Sequence, residues 1–383
     1  MLNCFYWYSG VWLSVLGLYT LGLSSFNTRL DNKLVIFILV TSFISLILGM
    51  MFNKKFKNFC LDNEEEPLKK KIILITLLYF IEFVALRTVP FIDIVFLKRT
   101  NYGDFMGIPY LHVLLIGFTS FYIQKCFLNY LKLKDKKYIK YITILLLLFL
   151  LCYTRSMIMI NFIMIIISSI AIYRKNIAIK LKNIIISFFA ILFILYLYGG
   201  IGNLRDGYSW NDNSYIEKIG LYTKFPRILP KQYMWSYSYL TSPLANLNHN
   251  IINNYYVKKN TYKGIVIESL PSTITKRVFS NEVMYNNPIL LREYFNAVTG
   301  WCNVYLYCGY FGMYILYCIF IILTLIVLRL LESKKDENLR IITLSTLCIV
   351  YSFMFFYNTL TYVGIAFLFW ICVINLLPKI KYK

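Results

Sequence analysis

Blocks of apolar residues longer than a water-soluble core helix needs dominate this chain: Ile142 to Cys152, Met157 to Tyr173 and Val304 to Leu328 run almost without charge. Of its 383 residues, 59% are from AVILMFWYC and 15% are charged, which excludes a soluble globule. The expectation is an all-α fold, a polytopic integral membrane helical bundle. Read in spans of about 17 to 25 residues, the chain predicts ten helices, near 5–26, 34–52, 72–89, 109–130, 141–154, 156–173, 184–200, 303–328, 341–359 and 361–377. Only Thr154, Arg155 and Ser156 separate the fifth from the sixth, so a single kinked segment is the alternative there, and it would invert everything downstream.

Basic residues orient the spans, because Lys and Arg near membrane helices stay on the cytoplasmic side. With the N-terminus inside, the short inner segments 53–71, 132–140, 174–182, 329–340 and 379–383 hold 22 Lys and Arg. The outer segments hold 17 over more than twice as many residues. Merging the fifth and sixth spans would put the Lys-dense 174–182 segment outside. Ten spans with both termini cytoplasmic follow, in one polytopic domain over 1–383 with a large extracytoplasmic loop from 201 to 302. The net charge of +22 is therefore read as topological, not as a nucleic-acid footprint. Lys, Asn, Ile, Tyr and Phe are abundant together, as an AT-rich genome would also write them.

Nine cysteines lie almost all in or beside apolar blocks with no CxxC, which argues against a disulfide scaffold or a zinc site. A basic n-region and an A-x-A site are both missing, so the first helix is expected to be retained. The acidic cluster Glu64 to Glu66 with Lys69 to Lys71 reads as a solvated inner loop. Outside, the carboxylates Asp93, Asp104, Asp206, Asp212, Glu217, Glu268, Glu282 and Glu293 are dispersed, with no D-x-D for a metal-activated sugar nucleotide. P-loop and GxGxxG signatures are absent too, so neither metal nor cofactor is expected.

Function should lie in the outer region. There Tyr233 to Leu247 carries no charge and is rich in aromatic and small residues, a composition suited to the membrane interface. Asn246, Asn248, Asn250, Asn253 and Asn254 flank it, and eleven tyrosines lie between 208 and 294. Polar, ring-shaped ligands such as sugars suit that surface.

Arg155 is fixed at a tight turn between two spans, where a guanidinium fork can hold a phosphate or diphosphate, or anchor lipid headgroups. Arg205, in Gly202-Asn203-Leu204-Arg205-Asp206-Gly207, and Arg292 lie near membrane helices; Arg227 and Arg277 are further outer arginines, and each alone also reads as a solvated surface residue. Glu82 and Arg87 sit five positions apart in the third span, and would line the outer cavity if both turned inward. His249 follows the aromatic run and is a candidate general base towards a sugar hydroxyl, beside the plainer reading of a structural loop histidine. His112 reads as a capping or interface residue.

With these residues in place, the chain resembles the O-antigen polymerase family, the Wzy-type polymerases of the bacterial inner membrane. Four stretches carry the likeness. Tyr102 to Pro109 resembles the family's glycine-proline lead-in to the fourth helix, and Thr154-Arg155-Ser156 its arginine turn. Ser238-Tyr239-Leu240-Thr241-Ser242-Pro243-Leu244-Ala245-Asn246-Leu247 is similar to its aromatic-Ser/Gly-Pro-Leu-x-Asn stretch, which brings in Tyr239 and Asn246 as substrate-binding candidates. Asn296 to Thr299 with Gly309 to Gly312 resembles the segment leading into the next helix, although Tyr307-Cys308-Gly309 stands where relatives often place Asp-Phe-Gly.

The resemblance implies a glycosyltransferase that joins undecaprenyl-diphosphate-linked oligosaccharide repeat units on the periplasmic face, in O-antigen or other surface polysaccharide synthesis. Its partners would be the lipid-linked oligosaccharide as donor and acceptor, the bilayer, a chain-length regulator and a flippase. Arginines would bind the diphosphate, and the aromatic loop would orient the two sugars. Two other readings remain: an O-antigen ligase, which His249 keeps open, and a flippase, which predicts internal repeats and deep central charges that are not found.

Overall fold

Helices stand at all ten expected positions in the computed structural model, which describes residues 2–56, 61, 67–99, 105, 107–173, 181–222, 224–255, 261–279 and 287–378. Glu64 to Glu66, Asp104, Glu282, most of Tyr102 to Met106 and residues 174–180 lie outside the described residues. In chain order the helices are α1 (Cys4–Thr20), α2 (Asn32–Met51), α3 (Lys69–Leu86), α4 (Pro90–Val95), α5 (Leu111–Leu133), α6 (Lys136–Leu151), α7 (Arg155–Tyr173), α8 (Leu181–Arg205), α9 (Ser214–Ile219), α10 (Tyr233–Ile252), α11 (Thr261–Ser269), α12 (Ser272–Val278), α13 (Cys302–Glu332), α14 (Glu337–Ser352) and α15 (Val363–Leu376). Among the described residues there is no strand, only an isolated bridge between Ser24 and Tyr222.

Five helical stretches are long and apolar enough to cross a membrane: α2, α5, α7, α13 and the Glu337–Phe355 run that contains α14. Exposure points the same way. Along α3 the side chains of Ile73, Leu74, Leu77, Phe80, Ile81 and Val84 all face outward, an arrangement stable only where the solvent is itself apolar. The molecule has the build of a multi-pass helical membrane protein. Inside, helices are joined by hydrogen bonds between small polar groups, such as Gln124 of α5 to Asn161 of α7 at 3.2 Å and Asn161 to Ser120 at 2.9 Å.

Several ends are written locally. Asn3, Asp31, Asp135 and Asp336 accept backbone N–H bonds from the first turns of α1, α2, α6 and α14, satisfying donors that the helix leaves unpaired. Between α6 and α7 the chain reverses through Tyr153 at φ +57°, with Thr154 bonding back to Phe149. Two packed helices result, so the kinked single segment does not form.

The lower end of the bundle gathers α2, α13, α14 and α15, where Lys55 pairs with Glu332 and Arg340 donates to the Lys55 carbonyl. The upper end carries the polar region. Here the structure departs from the expected surface run: Tyr233 to Leu247 belongs to α10, most of whose residues are buried. This helix packs from the middle of α8 across to the upper end of α1 and the chain before α2. Tyr233 donates to the Leu192 carbonyl of α8, Tyr237 to the Leu18 carbonyl of α1, and Asn248 to the Arg29 carbonyl before α2. An uncharged sequence of rings and small residues fits a crowded crossing as well as an interface, which is why composition alone pointed to the surface.

Inside α13, Gly309 takes φ +62° and ψ −156°, a region open essentially to glycine alone. Gly309→Ala is expected to destabilise the protein by about 1–3 kcal/mol, read as a lower unfolding midpoint in detergent.

Candidate functional site

Two tyrosines, one tryptophan and a carboxylate surround Arg205 at the upper end of α8. Glycines make this approach possible: a Cβ at Gly199, Gly200 or Gly202 would collide with Gln232, Trp210 or Trp235, so α8 offers a bare backbone face to the segments laid across it. Arg205 pairs with Asp206 at 3.1 Å and donates to the Tyr294 hydroxyl, which in turn donates to Asp206 at 2.5 Å. Its guanidinium carbon stands 5.3 Å from the Trp235 ring and 5.4 Å from the Tyr294 ring. The Tyr239 hydroxyl is within hydrogen-bonding reach of Arg205. Even so, 38% of the Arg205 side chain is exposed, which leaves the guanidinium open to a ligand.

Arg155 is the second cation. It opens α7, stacks over Tyr153 at 4.9 Å and is exposed. Tyr198 lies within electrostatic range of both Arg205 and Arg155. Beside Arg155, Ser156 and the Tyr362 hydroxyl are 2.8 Å apart, and Tyr362 stacks on Tyr357 at 4.2 Å.

Below this cluster lies an apolar groove of about 640 Å³, lined by Trp7, Val11 and Leu18 of α1, Ile170 of α7, Leu240 and Phe355. Leu240 and Phe355 directly adjoin Tyr239 and Phe356, whose rings stack at 6.5 Å. The groove therefore reaches the residues next to the Tyr239–Phe356 ring stack. From Leu18 to Tyr6 it follows α1 for twelve residues, about 18 Å of helix. An apolar groove suits a lipid chain, and a partly exposed guanidinium framed by aromatic rings suits a phosphate or a sugar.

Of the candidates, Tyr239 lies within hydrogen-bonding reach of Arg205, and Arg155 shares only the electrostatic neighbourhood of Tyr198 with them. Asn246 is buried with its amide fully engaged: Nδ2 donates to the Phe295 and Ala297 carbonyls at 2.9 Å each, and Oδ1 accepts from Leu291 N at 3.0 Å. It holds the chain that carries Tyr294, so it serves the site as a brace and not as a ligand contact. Arg292, on that same stretch, and Arg227 are exposed. Arg277 lies over the Tyr110 ring at 3.8 Å. Arg87 ends α3 in the left-handed region and points outward, so only Glu82 of that pair turns inward.

His249 is half-buried near the end of α10, with Nδ1 3.2 Å from Asn253 Nδ2. Ten residues of helix separate it from Tyr239, about 15 Å of rise, so it stands apart from the arginines.

Two buried carboxylates have partners that sequence reasoning missed. Glu82 accepts from Ile108 N at 2.8 Å and lies 3.0 Å from His112 Nδ1. A charge within an apolar span was the available signal; its histidine, 30 residues on, was not legible. Glu268 of α11 accepts from Asn358 Nδ2 at 2.9 Å. Burial pushes its carboxyl up to about 7, against hydrogen bonds from Asn358 and Asn303 that pull it down. Because the folded value is the higher one, the associated stability is complete below the ordinary 4.5 and is lost as pH rises through about 7. Glu268→Gln, which keeps an acceptor for Asn358, is expected to flatten that dependence by about 3 kcal/mol, read as unfolding midpoints across pH 4 to 8.

Among the described residues no group of three His, Cys, Asp or Glu side chains is placed to hold a metal ion. No family model matches the chain, and neither does any curated protein or solved structure in the comparisons made.

Proposed function

We propose that the chain is a surface-polysaccharide polymerase, a metal-independent glycosyltransferase that joins oligosaccharide repeat units carried on undecaprenyl diphosphate. One observation carries this reading: Arg205 is framed by Trp235, Tyr239 and Tyr294, and an apolar groove along α1 reaches Leu240, the residue next to Tyr239. In this reading the polyprenyl chain lies in the groove. The guanidinium groups bind the diphosphate and stabilise the charge that develops as the anomeric carbon–oxygen bond breaks. Rings beside them hold donor and acceptor sugars so that the attacking hydroxyl meets the anomeric carbon at high effective concentration. No nucleotide is consumed, because the lipid diphosphate is itself the leaving group.

The proposal includes the topology. All ten long helices cross the bacterial inner membrane, both termini are cytoplasmic, and 201–302 forms the periplasmic side together with the upper end of the bundle. The Lys-rich and Arg-rich connections at the lower end fit that orientation.

Purified protein in nanodiscs, supplied with lipid-linked repeat units from a strain lacking the gene, tests the activity. A ladder of products lengthened by whole repeat units is the expected result. Transfer only to lipid A core would make the protein a ligase. Movement of the lipid across liposomes without any new glycosidic bond would make it a flippase.

A further inference from the structure

His112 and Glu82 form a second chemical element at the upper end of the bundle. Glu82 is fully buried in α3 and both its oxygens are engaged, Oε1 by Ile108 N and Oε2 by His112 Nδ1. An ionisable group at that depth is costly and needs a reason. Gly107 closes the arrangement, since at φ +65° a Cβ there would run into both the His112 ring and Glu82.

With Glu82 as the acceptor, Nδ1 is the ring's donor to Oε2, and Nε2 is the nitrogen left to act as a base. Among the described residues Nε2 has no hydrogen-bond partner, and 11% of the side chain is accessible. Packing connects α5 just below the ring to the end of α7 that carries Arg155. One turn below His112, Ile116 meets Gly364 of α15, which also meets Met157 of α7. Within two residues of that three-helix crossing, α7 presents Arg155 and Ser156, and the chain entering α15 presents Tyr362. Helix α12 bridges the same end, with Ser272 N on the Thr361 carbonyl and Arg277 over Tyr110.

We infer that His112 is the general base of the transfer reaction, held in the competent tautomer by Glu82 as its positioning residue. This rests on the glycosyltransferase reading above. Nε2 takes the proton from the acceptor sugar hydroxyl while that oxygen bonds to the donor's anomeric carbon. The bond from that carbon to the diphosphate oxygen breaks, and its electron pair leaves with the diphosphate. The imidazolium then returns its proton to water.

Glu82→Gln tests the assignment without removing volume. The amide oxygen still accepts from Ile108 N, but the amide nitrogen can only donate to Nδ1, which forces the ring proton onto Nε2. In the nanodisc assay with extracted lipid-linked repeat units, kcat is expected to fall about 10²–10⁴-fold. Binding of undecaprenyl diphosphate and the unfolding midpoint should stay unchanged. His112→Ala is expected to lose a similar factor and to regain part of it with added imidazole. Wild-type kcat in Glu82→Gln, or a lower unfolding midpoint that accounts for the lost activity with no imidazole rescue of His112→Ala, would overturn the base assignment. An inactive wild-type protein would instead remove the glycosyltransferase reading itself.

Discussion

Arg205→Ala is expected to shorten surface polysaccharide to single repeat units, with elongation in the nanodisc assay reduced about 10²–10³-fold and normal amounts of protein in the membrane. The size follows from what the side chain holds together. Asp206 and the Tyr294 hydroxyl are both bonded to this guanidinium, so its removal takes a cation from the diphosphate and leaves a carboxylate facing it. Trp235 and Tyr239 keep their places on α10, packed against Asn203 and Phe295, so the loss should appear in turnover and lipid-diphosphate binding and not in folding. Arg205→Lys keeps the charge without the fork and should fall between the two. Arg155→Ala is expected to cost less, because Arg155 is exposed at the first residue of α7, where it stacks over Tyr153. Polysaccharide of normal length in both alanine variants would remove the diphosphate site.

Asn246→Leu is expected to be the most destabilising single change at the upper end, at about 3–5 kcal/mol. It leaves the Leu291 N–H and the Phe295 and Ala297 carbonyls without partners in a buried place, at about 1–3 kcal/mol for each unsatisfied group. Asn250 braces the same stretch, bonding Ile289 through both N–H and carbonyl, so some order should survive there. The consequence reaches the site through Tyr294 and Phe295, which lie between the lost bonds. Faster hydrogen exchange at 289–298 together with lost elongation is the expected pair of results. Lost elongation with unchanged exchange would instead make Asn246 a direct ligand contact.

These two residues differ in how far the sequence revealed them. Arg205 was legible because an arginine at the end of an apolar block is a strong local signal. Its standing above Arg292 was not, since both lie close to a membrane helix and only the fold puts Trp235, Tyr239 and Tyr294 around one of them. Asn246 was legible as a polar residue beside an aromatic run, but its role was misread: a sequence shows the amide and not the carbonyls 49 and 51 residues away that it bonds. Arg277 shows the converse, being plausible by type but laid over the Tyr110 ring by packing.

Lengths of apolar blocks, aspartate and asparagine caps and the short turn at 152–154 are local properties, and from them the chain by itself determined where ten helices run and where one pair reverses. Tertiary structure alone decided that α10 is a buried crossing, that Glu82 meets His112, and that Leu18, Ile170, Leu240 and Phe355 line one apolar groove. Each of these depends on partners tens to hundreds of residues apart in the chain. Periodicity and composition carry no record of such pairings, which are set by how helices pack once the membrane-length segments have formed.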